Sequence, residues 1–366
     1  MLSRRGFIQR SSLAALGFLL PSFRAKADIQ ETSSWVMPAE GDEHQRTWMG
    51  FGGSERIWGR ELLPEVRRNL ALIANTIAQY EPVTMLVRPE EKKLARKMLS
   101  SDVELLEASL DDLWLRDTGP IFVVNDQGDK AAINFNFNGW GEKQTYRNDA
   151  KVAGRIANAA GVPEIQTDLI LEGGCIEVDG EGTAIITESC VLNNNRNPGV
   201  SKHQFEDLLM PLLGLDKIIW LPGIKGMDIT DGHTDFYARF ARPGVVLAGF
   251  DPDPNSFDHK VTLRHLELLE RAKDAEGRSL ELITLQAPDY VSPNYDSDDF
   301  AAGYIGYYEC NDAIIMQAFG DKRADRAAKD AIQAVFPDHY IEQIRIDGIA
   351  AGGGSIHCAT QQEPIV

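Results

Sequence analysis

Apolar and polar positions fall in short blocks along most of the chain, and the blocks recur in one order. Apolar runs at 121–124 and 131–135 flank a polar turn at 125–129, and runs at 175–178 and 183–187 flank Asp179-Gly180-Glu181-Gly182. Two short strands joined by a turn of Gly, Asp and Asn predict a β-hairpin. Further hairpins are expected from 235–240 with 244–250 around Arg242-Pro243, and from 303–309 with 313–319 around Asn311-Asp312. Between hairpins the period lengthens. Within 60–80, Leu62, Val66, Leu70, Ile73 and Ile77 share one helical face, and 201–213 and 322–335 have similar spacing. A short apolar strand follows each helix.

The repeating unit is therefore hairpin, helix, strand, which predicts an α/β protein of radial or repeat architecture rather than a doubly wound sheet. Four hairpins plus the strand at 47–51 make five units, the N-terminal strand closing a ring against the segment around Cys358. No linker, charge block or low-complexity run follows residue 27, so 28–366 is expected to form a single domain.

Residues 1–27 read as an address. Ser3-Arg4-Arg5-Gly6-Phe7-Ile8 is a twin-arginine pattern, followed by an apolar stretch at 13–20 and the small-residue site Ala25-Lys26-Ala27. The stretch is too short to span a bilayer. Recognition by the twin-arginine export machinery, cleavage after Ala27 and a periplasmic protein with no stable membrane anchor are expected. The signal holds Arg4, Arg5, Arg10, Arg24 and Lys26 and no acidic residue, so its removal takes the net charge from −18 to −23. An acidic field of that size repels nucleic acid and draws in small cations.

Four cysteines, Cys175, Cys190, Cys310 and Cys358, are too few for a disulfide scaffold. A pair among the first three stays open, although the turn at 179–182 does not set Cys175 directly opposite Cys190. Cys358 differs in setting. Gly352-Gly353-Gly354-Ser355-Ile356-His357-Cys358 delivers one thiol on a constrained turn where a ligand can approach the main chain.

A thiol nucleophile needs activation, and His233 is the candidate partner. Of seven histidines it alone joins a preceding glycine to a carboxylate two residues on, in Gly232-His233-Thr234-Asp235. Strand alternation would aim His233 and Asp235 at the same pocket. Asp117, in Arg116-Asp117-Thr118-Gly119-Pro120, lies at the end of a loop. Glu172 follows apolar 169–171 and precedes two glycines, and a buried Glu needs a histidine or a cation as partner. One Cys, one His and three carboxylates beside glycine-rich turns match a cationic substrate attacked at an electrophilic carbon. A guanidinium fits, its planar fork pairing with Asp117 and Asp235 while Trp114 stacks on it.

Metal chemistry is the rival reading, but no Cys-x-x-Cys or His-Glu-x-x-His occurs, and His357 and Cys358 would diverge on a strand. No helix-opening pattern follows the glycine run, so a phosphate cradle is not expected either.

These residues carry a family resemblance. Met37-Pro38-Ala39-Glu40, Trp114 to Pro120, Phe137-Asn138-Gly139-Trp140-Gly141, Leu171-Glu172-Gly173-Gly174, Leu192 to Pro198, Gly232 to Asp235 and Gly352 to Pro364 resemble agmatine deiminases and the related Porphyromonas-type peptidylarginine deiminases. These belong to the guanidino-group-modifying, or pentein, superfamily. The resemblance implies a five-bladed α/β propeller and guanidine hydrolysis without metal or organic cofactor. It implies Cys358 as nucleophile, His233 as acid and base, Asp117 and Asp235 as guanidinium-binding carboxylates, and Glu172 as the carboxylate that orients the histidine. The implied intermediate is a covalent S-alkylthiouronium.

For the substrate, the peptidylarginine branch uses an arginine pair to hold a terminal carboxylate, where this chain has Phe137-Asn138-Gly139-Trp140-Gly141. Agmatine is thus expected over an arginine at a peptide end. The export signal points the other way, and a non-catalytic guanidine or polyamine binder is the alternative of another class.

Overall fold

The computed structural model describes residues 34–292, 294 and 299–366. The twin-arginine pattern, the apolar stretch and the cleavage site lie outside the described residues. Among those described, no helix is long and apolar enough to cross a membrane.

Strand β1 (His44–Phe51) leads into the helix Glu55–Ile77, then β2 (Val83–Val87) and β3 (Val103–Glu107). Three-stranded units follow in chain order. The first is β4 (Ile121–Val124), β5 (Lys130–Asn134) and β6 (Glu164–Gln166), and the second β7 (Ile176–Val178), β8 (Thr183–Thr187) and β9 (Lys217–Leu221). The third is β10 (Ala238–Arg242), β11 (Val245–Phe250) and β12 (Glu281–Gln286), and the fourth β13 (Tyr308–Cys310), β14 (Ala313–Gln317) and β15 (Tyr340–Ile344). In each, the first two strands pair antiparallel and the third joins parallel after a helix, as the hairpin, helix, strand pattern predicts.

The last strand, β16 (Thr360–Pro364), pairs antiparallel with β1, setting Met49 opposite Thr360 and Thr47 opposite Gln362. Chain ends thus complete the fifth sheet, in the order β16-β1-β2-β3. The strand expected at 47–51 meets the segment immediately after Cys358.

Helix limits follow local chemistry. The regular helix expected from residue 60 starts after Gly59, whose φ of 66° breaks the leading turn, and Pro64 sits where its missing N–H costs little. Ser201 caps Lys202–Leu213 through a capping box with Gln204, and left-handed Gly214 ends it. Val66, Leu70 and Ile73 of the first helix are fully buried in a cluster with Met49, Met85 and Val87. Each such side chain contributes roughly 1.5–3 kcal/mol.

The expected strands at 235–240 and 303–309 are shorter than the apolar pattern. Thr234–Phe236 and Tyr304–Gly306 form 3-10 turns, and the strands begin at Ala238 and Tyr308. A single helical turn recurs before every first strand: α-helical Leu115–Thr118 precedes β4, and the 3-10 turns Gly173–Cys175 and His357–Ala359 precede β7 and β16. Each unit therefore opens on one tight helical turn.

Behind these turns lies a buried charged cluster centred on Glu40. Its Oε1 accepts from Arg239 Nη2 at 2.7 Å and the Glu309 N–H at 3.0 Å, and its Oε2 accepts from Arg116 Nη2 at 3.0 Å and faces His357 Nε2 at 2.8 Å. Burial opposes the charge, but Arg239, His357 and Arg116 hold the Glu40 carboxyl well below the ordinary range. Arg239 is wholly buried, donates to Glu177 Oε2 at 3.1 Å and lies 4.4 Å from the Tyr307 ring centre. Arg239→Ala leaves both carboxylates short of a partner, and urea unfolding should show a loss of about 3–5 kcal/mol. A loss under about 1 kcal/mol would mean that the cluster does not hold the units together.

Candidate active site

The opening turns bring the chemistry together. Asp117 comes from the turn before β4, Glu172 from the residue leading into Gly173–Cys175, His233 and Asp235 from the turn before β10, and Cys358 from the turn before β16. Asp117, His233 and Cys358 line one cavity of about 220 Å³, with Trp114, Trp140 and Asp112 in its walls. Asp235 and Glu172 stand behind this lining, against Cys358 and His233 respectively, so the five expected site residues are brought together.

Two of them arrive by a route other than strand alternation. In a 3-10 turn successive side chains rotate by about 120°, so residues two apart diverge. Because His233 is extended and only Thr234–Phe236 is coiled, its Nδ1 still reaches 4.0 Å from Asp235 Oδ1. Likewise His357 and Cys358 do not diverge on a strand: they share the turn His357–Ala359. His357 Nδ1 lies 2.7 Å, and Cys358 Sγ 3.9 Å, from Asp235 Oδ2.

His233 is held at both ring nitrogens. Nε2 is 3.1 Å from Glu172 Oε2, and Nδ1 is 3.7 Å from Asp117 Oδ1. Glu172 is fixed in turn by Arg196, whose Nε reaches both carboxylate oxygens at 2.9 and 3.0 Å. The other guanidinium nitrogens bind Asp231 Oδ2 at 2.8 Å and the Thr230 carbonyl at 2.9 Å, tying down the segment that carries His233. Asp117 accepts from Trp140 Nε1 at 2.9 Å and the Gly174 N–H at 3.1 Å. Trp140 adopts a left-handed φ of 56°, a strained setting for a bulky residue, to present that donor.

Gly174 explains the glycine pair after Glu172. A Cβ there would stand 2.4 Å from His233 Nδ1 and 3.0 Å from oxygens of both Asp117 and Asp235. Only a glycine lets these three side chains meet. At Gly354 a Cβ would collide with the Trp114 ring at 2.2 Å, which is why the nucleophile's loop is rich in glycine. Trp114 itself is both wall and core, its ring 5.8 Å from that of Trp58.

Charge is out of balance in the cavity. Burial pushes the Cys358 thiol well above its ordinary pKa, and Asp235 and Asp117 push it further. Burial raises Asp117 to about 6 against the pull of His233. Burial opposes a charged His233 ring, but Asp117, Cys190 and Glu172 hold its pKa well above the usual histidine value. Asp235 Oδ1 is buried without a hydrogen-bond partner. No Lys or Arg lines this cavity or the adjoining one of about 500 Å³ among the described residues. A cation entering beside Cys358 would meet a carboxylate oxygen that accepts no hydrogen bond and would stabilise a thiolate.

The four cysteines are free, and the Asp179 to Gly182 turn leaves Cys190 on a short helix beyond β8 rather than opposite Cys175. Tertiary contact does what spacing did not predict: Glu172, Cys175 and Cys190 present possible metal-ligand atoms within 4.8 Å of one another. Arg196 already occupies that carboxylate, and its charge opposes a second cation.

Sequence reasoning missed Asp112, Trp140, Arg196 and His357 as parts of the site. Trp140, Arg196 and His357 lie inside the motifs that carried the family resemblance, which was the available signal; Asp112 carried none. Asp112 lines the cavity at 1% exposure, accepting from Trp58 Nε1 at 2.7 Å and Gln144 Nε2 at 3.0 Å, and burial raises it to about 6.

A raised thiol pKa in an acidic cavity predicts selective labelling. At neutral pH a cationic haloacetamidine should alkylate Cys358 at least about tenfold faster than neutral iodoacetamide, since a cation beside sulfur favours the thiolate. Mass spectrometry of the Cys358 peptide reads the ratio; equal rates would contradict the electrostatic picture.

The family model described as Porphyromonas-type peptidyl-arginine deiminase matches residues 36–364. The chain is 37% identical to the agmatine deiminase of Stutzerimonas stutzeri, over 90% of this chain and 95% of that protein. Among solved structures it is similar to the agmatine deiminase of Enterococcus faecalis, with TM-score 0.85 and 32% identity over 91% of this chain and 96% of the other. An agmatine deiminase of C. jejuni with substrate bound matches at TM-score 0.82 and 25% identity, over 91% and 97%. The fold is thus the α/β fold of these deiminases, and the chain belongs to the Porphyromonas-type peptidyl-arginine deiminase family.

Proposed function

We propose that this protein is an exported agmatine deiminase, converting agmatine and water to N-carbamoylputrescine and ammonia. The observation that carries the reading is a small cavity holding Cys358, His233 and Asp117, with Asp235 behind the thiol and no lysine or arginine in its walls among the described residues. A guanidinium is drawn to that charge, whereas a substrate carboxylate finds no arginine or lysine to hold it.

In the proposed mechanism the guanidinium lies between Asp117 and Asp235, with Trp114 against it. Its charge lowers the Cys358 pKa so that the thiol proton is lost to solvent, and the thiolate attacks the central carbon to give a tetrahedral adduct. His233, charged and oriented by Glu172, gives its proton to the departing nitrogen, so ammonia leaves and an S-alkylthiouronium remains. The neutral ring then takes a proton from water, hydroxide adds to the same carbon, and the C–S bond breaks to release the urea and regenerate Cys358. Asp112 receives the terminal ammonium of agmatine at the far wall.

The same reading places the five sheets as five blades of a propeller. It is supported by the five repeated units, each opening on one helical turn, and by the pairing of β1 with β16. It takes 28–366 as one catalytic domain and residues 1–27 as a twin-arginine signal to the periplasm, supported by Arg4-Arg5 and Ala25-Lys26-Ala27. Deimination of arginine at a peptide end is the second reading, favoured by the adjoining cavity of about 500 Å³.

Protein recovered from the periplasmic fraction, with Asp28 as its first residue, should release ammonia from agmatine far faster than from arginine or a peptide ending in arginine. Cys358→Ser should lower kcat at least about 10³-fold, and Asp112→Asn should raise the agmatine KM about tenfold, the value of one charge-assisted hydrogen bond. Preference for the peptide would overturn the substrate; full activity in Cys358→Ser would overturn the chemistry; no ammonia from any of the three would leave a binding protein.

A further inference from the structure

The guanidinium-binding carboxylate Asp235 has one oxygen committed and one open. Oδ2 is 2.7 Å from His357 Nδ1, while Oδ1 is buried without a hydrogen-bond partner. The opposite nitrogen of the same ring, Nε2, is 2.8 Å from Glu40 Oε2. A carboxylate oxygen only accepts, so both contacts are satisfied as hydrogen bonds when both ring nitrogens carry protons. Glu40 cannot swing away, because Arg239 Nη2 and Arg116 Nη2 hold its two oxygens. His357, at 1% exposure, is therefore a rigid strut between a fixed anchor and the carboxylate behind the Cys358 thiol.

We propose that His357 is a positioning residue for substrate recognition: clamped by Glu40, it holds Asp235 by Oδ2 so that Oδ1 faces the guanidinium. The inference rests on the reading that the site takes a guanidinium. Two things follow from the geometry. The strut fixes which oxygen is offered, removing a rotation that would otherwise be lost on binding. It also leaves Oδ1 without a hydrogen bond, with His233 Nδ1 at 4.0 Å, so the cation displaces no hydrogen bond there. Because His357 is the residue before Cys358, the same backbone turn sets both the thiol and the carboxylate, and their separation of 3.9 Å is built in.

The ring can be dissected by length. In His357→Asn the amide nitrogen reproduces the position of Nδ1 and keeps Asp235; in His357→Gln it reproduces Nε2 and keeps Glu40. Agmatine binding is measured by calorimetry in Cys358→Ser, where no turnover interferes, with thermal melting to confirm folding. His357→Gln should weaken binding at least about tenfold, the value of a lost charge-assisted bond, while His357→Asn, which keeps the bond to Asp235 but loses the Glu40 clamp, should weaken it less, to the level of Glu40→Gln. In an Asp235→Asn background the difference between the two should vanish. In the active enzyme, His357→Gln should raise KM more than it lowers kcat. Equal losses in the Asn and Gln variants, or a difference that persists without Asp235, would overturn the proposal.

Should His357→Gln fail to fold, Glu40→Gln loosens the anchor without touching the ring. It should weaken agmatine binding in Cys358→Ser but not after Asp235→Asn, and unchanged binding overturns the proposal. Wild-type turnover separates the two levels of inference. If the wild type deiminates agmatine and His357→Gln still binds it normally, the strut alone is wrong; if the wild type neither binds nor deiminates agmatine, the functional reading falls and the strut's role falls with it.

Discussion

Two carboxylates, Asp117 and Asp235, are buried beside a thiol with one imidazole between them, and the surrounding structure is arranged to keep them there. Like charges in a site of low polarity repel and cost several kcal/mol to hold together. Each is restrained separately. Trp140 and the Gly174 N–H hold Asp117, and His357 holds Asp235. Arg196 and Glu172 hold the imidazole that faces both. What stays unsatisfied, Asp235 Oδ1, is the part a guanidinium would complete.

The repeat explains how one chain assembles such a site. Every unit opens on a helical turn before its first strand, and Asp117, Asp235 and Cys358 lie in three of those turns. Glu172 and His233 immediately precede theirs. Residues more than two hundred positions apart are thereby brought within hydrogen-bond reach. Glu40 links the turns from behind through Arg116, Arg239 and His357, and the Glu309 N–H adds a contact from β13. The closing of β1 on β16 completes the arrangement, with Met49 opposite Thr360, two residues from Cys358.

Much of this was legible in the residues. Hairpins at 121–134 and 176–187 announce themselves by apolar runs around turns rich in Gly, Asp and Asn, and the period of Leu62 to Ile77 marks its helix. Cys358, His233, Asp117, Asp235 and Glu172 were each visible as a reactive group beside glycine. The tight turns at Thr234–Phe236 and His357–Ala359 were not, because a single 3-10 turn has no period to detect and its apolar residues look like the start of the next strand. The roles of Arg196, Trp140, Glu40 and His357 were hidden for another reason. Each acts through a contact distant in sequence, so only the folded chain shows that Arg196 meets Glu172 or that Glu40 meets His357. The grouping of Glu172 with Cys175 and Cys190 was equally a tertiary fact.

The central claim is that Cys358 forms a covalent bond with the carbon of a guanidinium held by Asp117 and Asp235. Acid quenching during agmatine turnover, followed by mass spectrometry of the Cys358 peptide, tests it directly. The account predicts an adduct on Cys358 whose mass equals that of agmatine less ammonia, appearing with substrate and decaying as substrate is consumed. Sustained ammonia release with Cys358 unmodified throughout, or with the adduct on another residue, would contradict it.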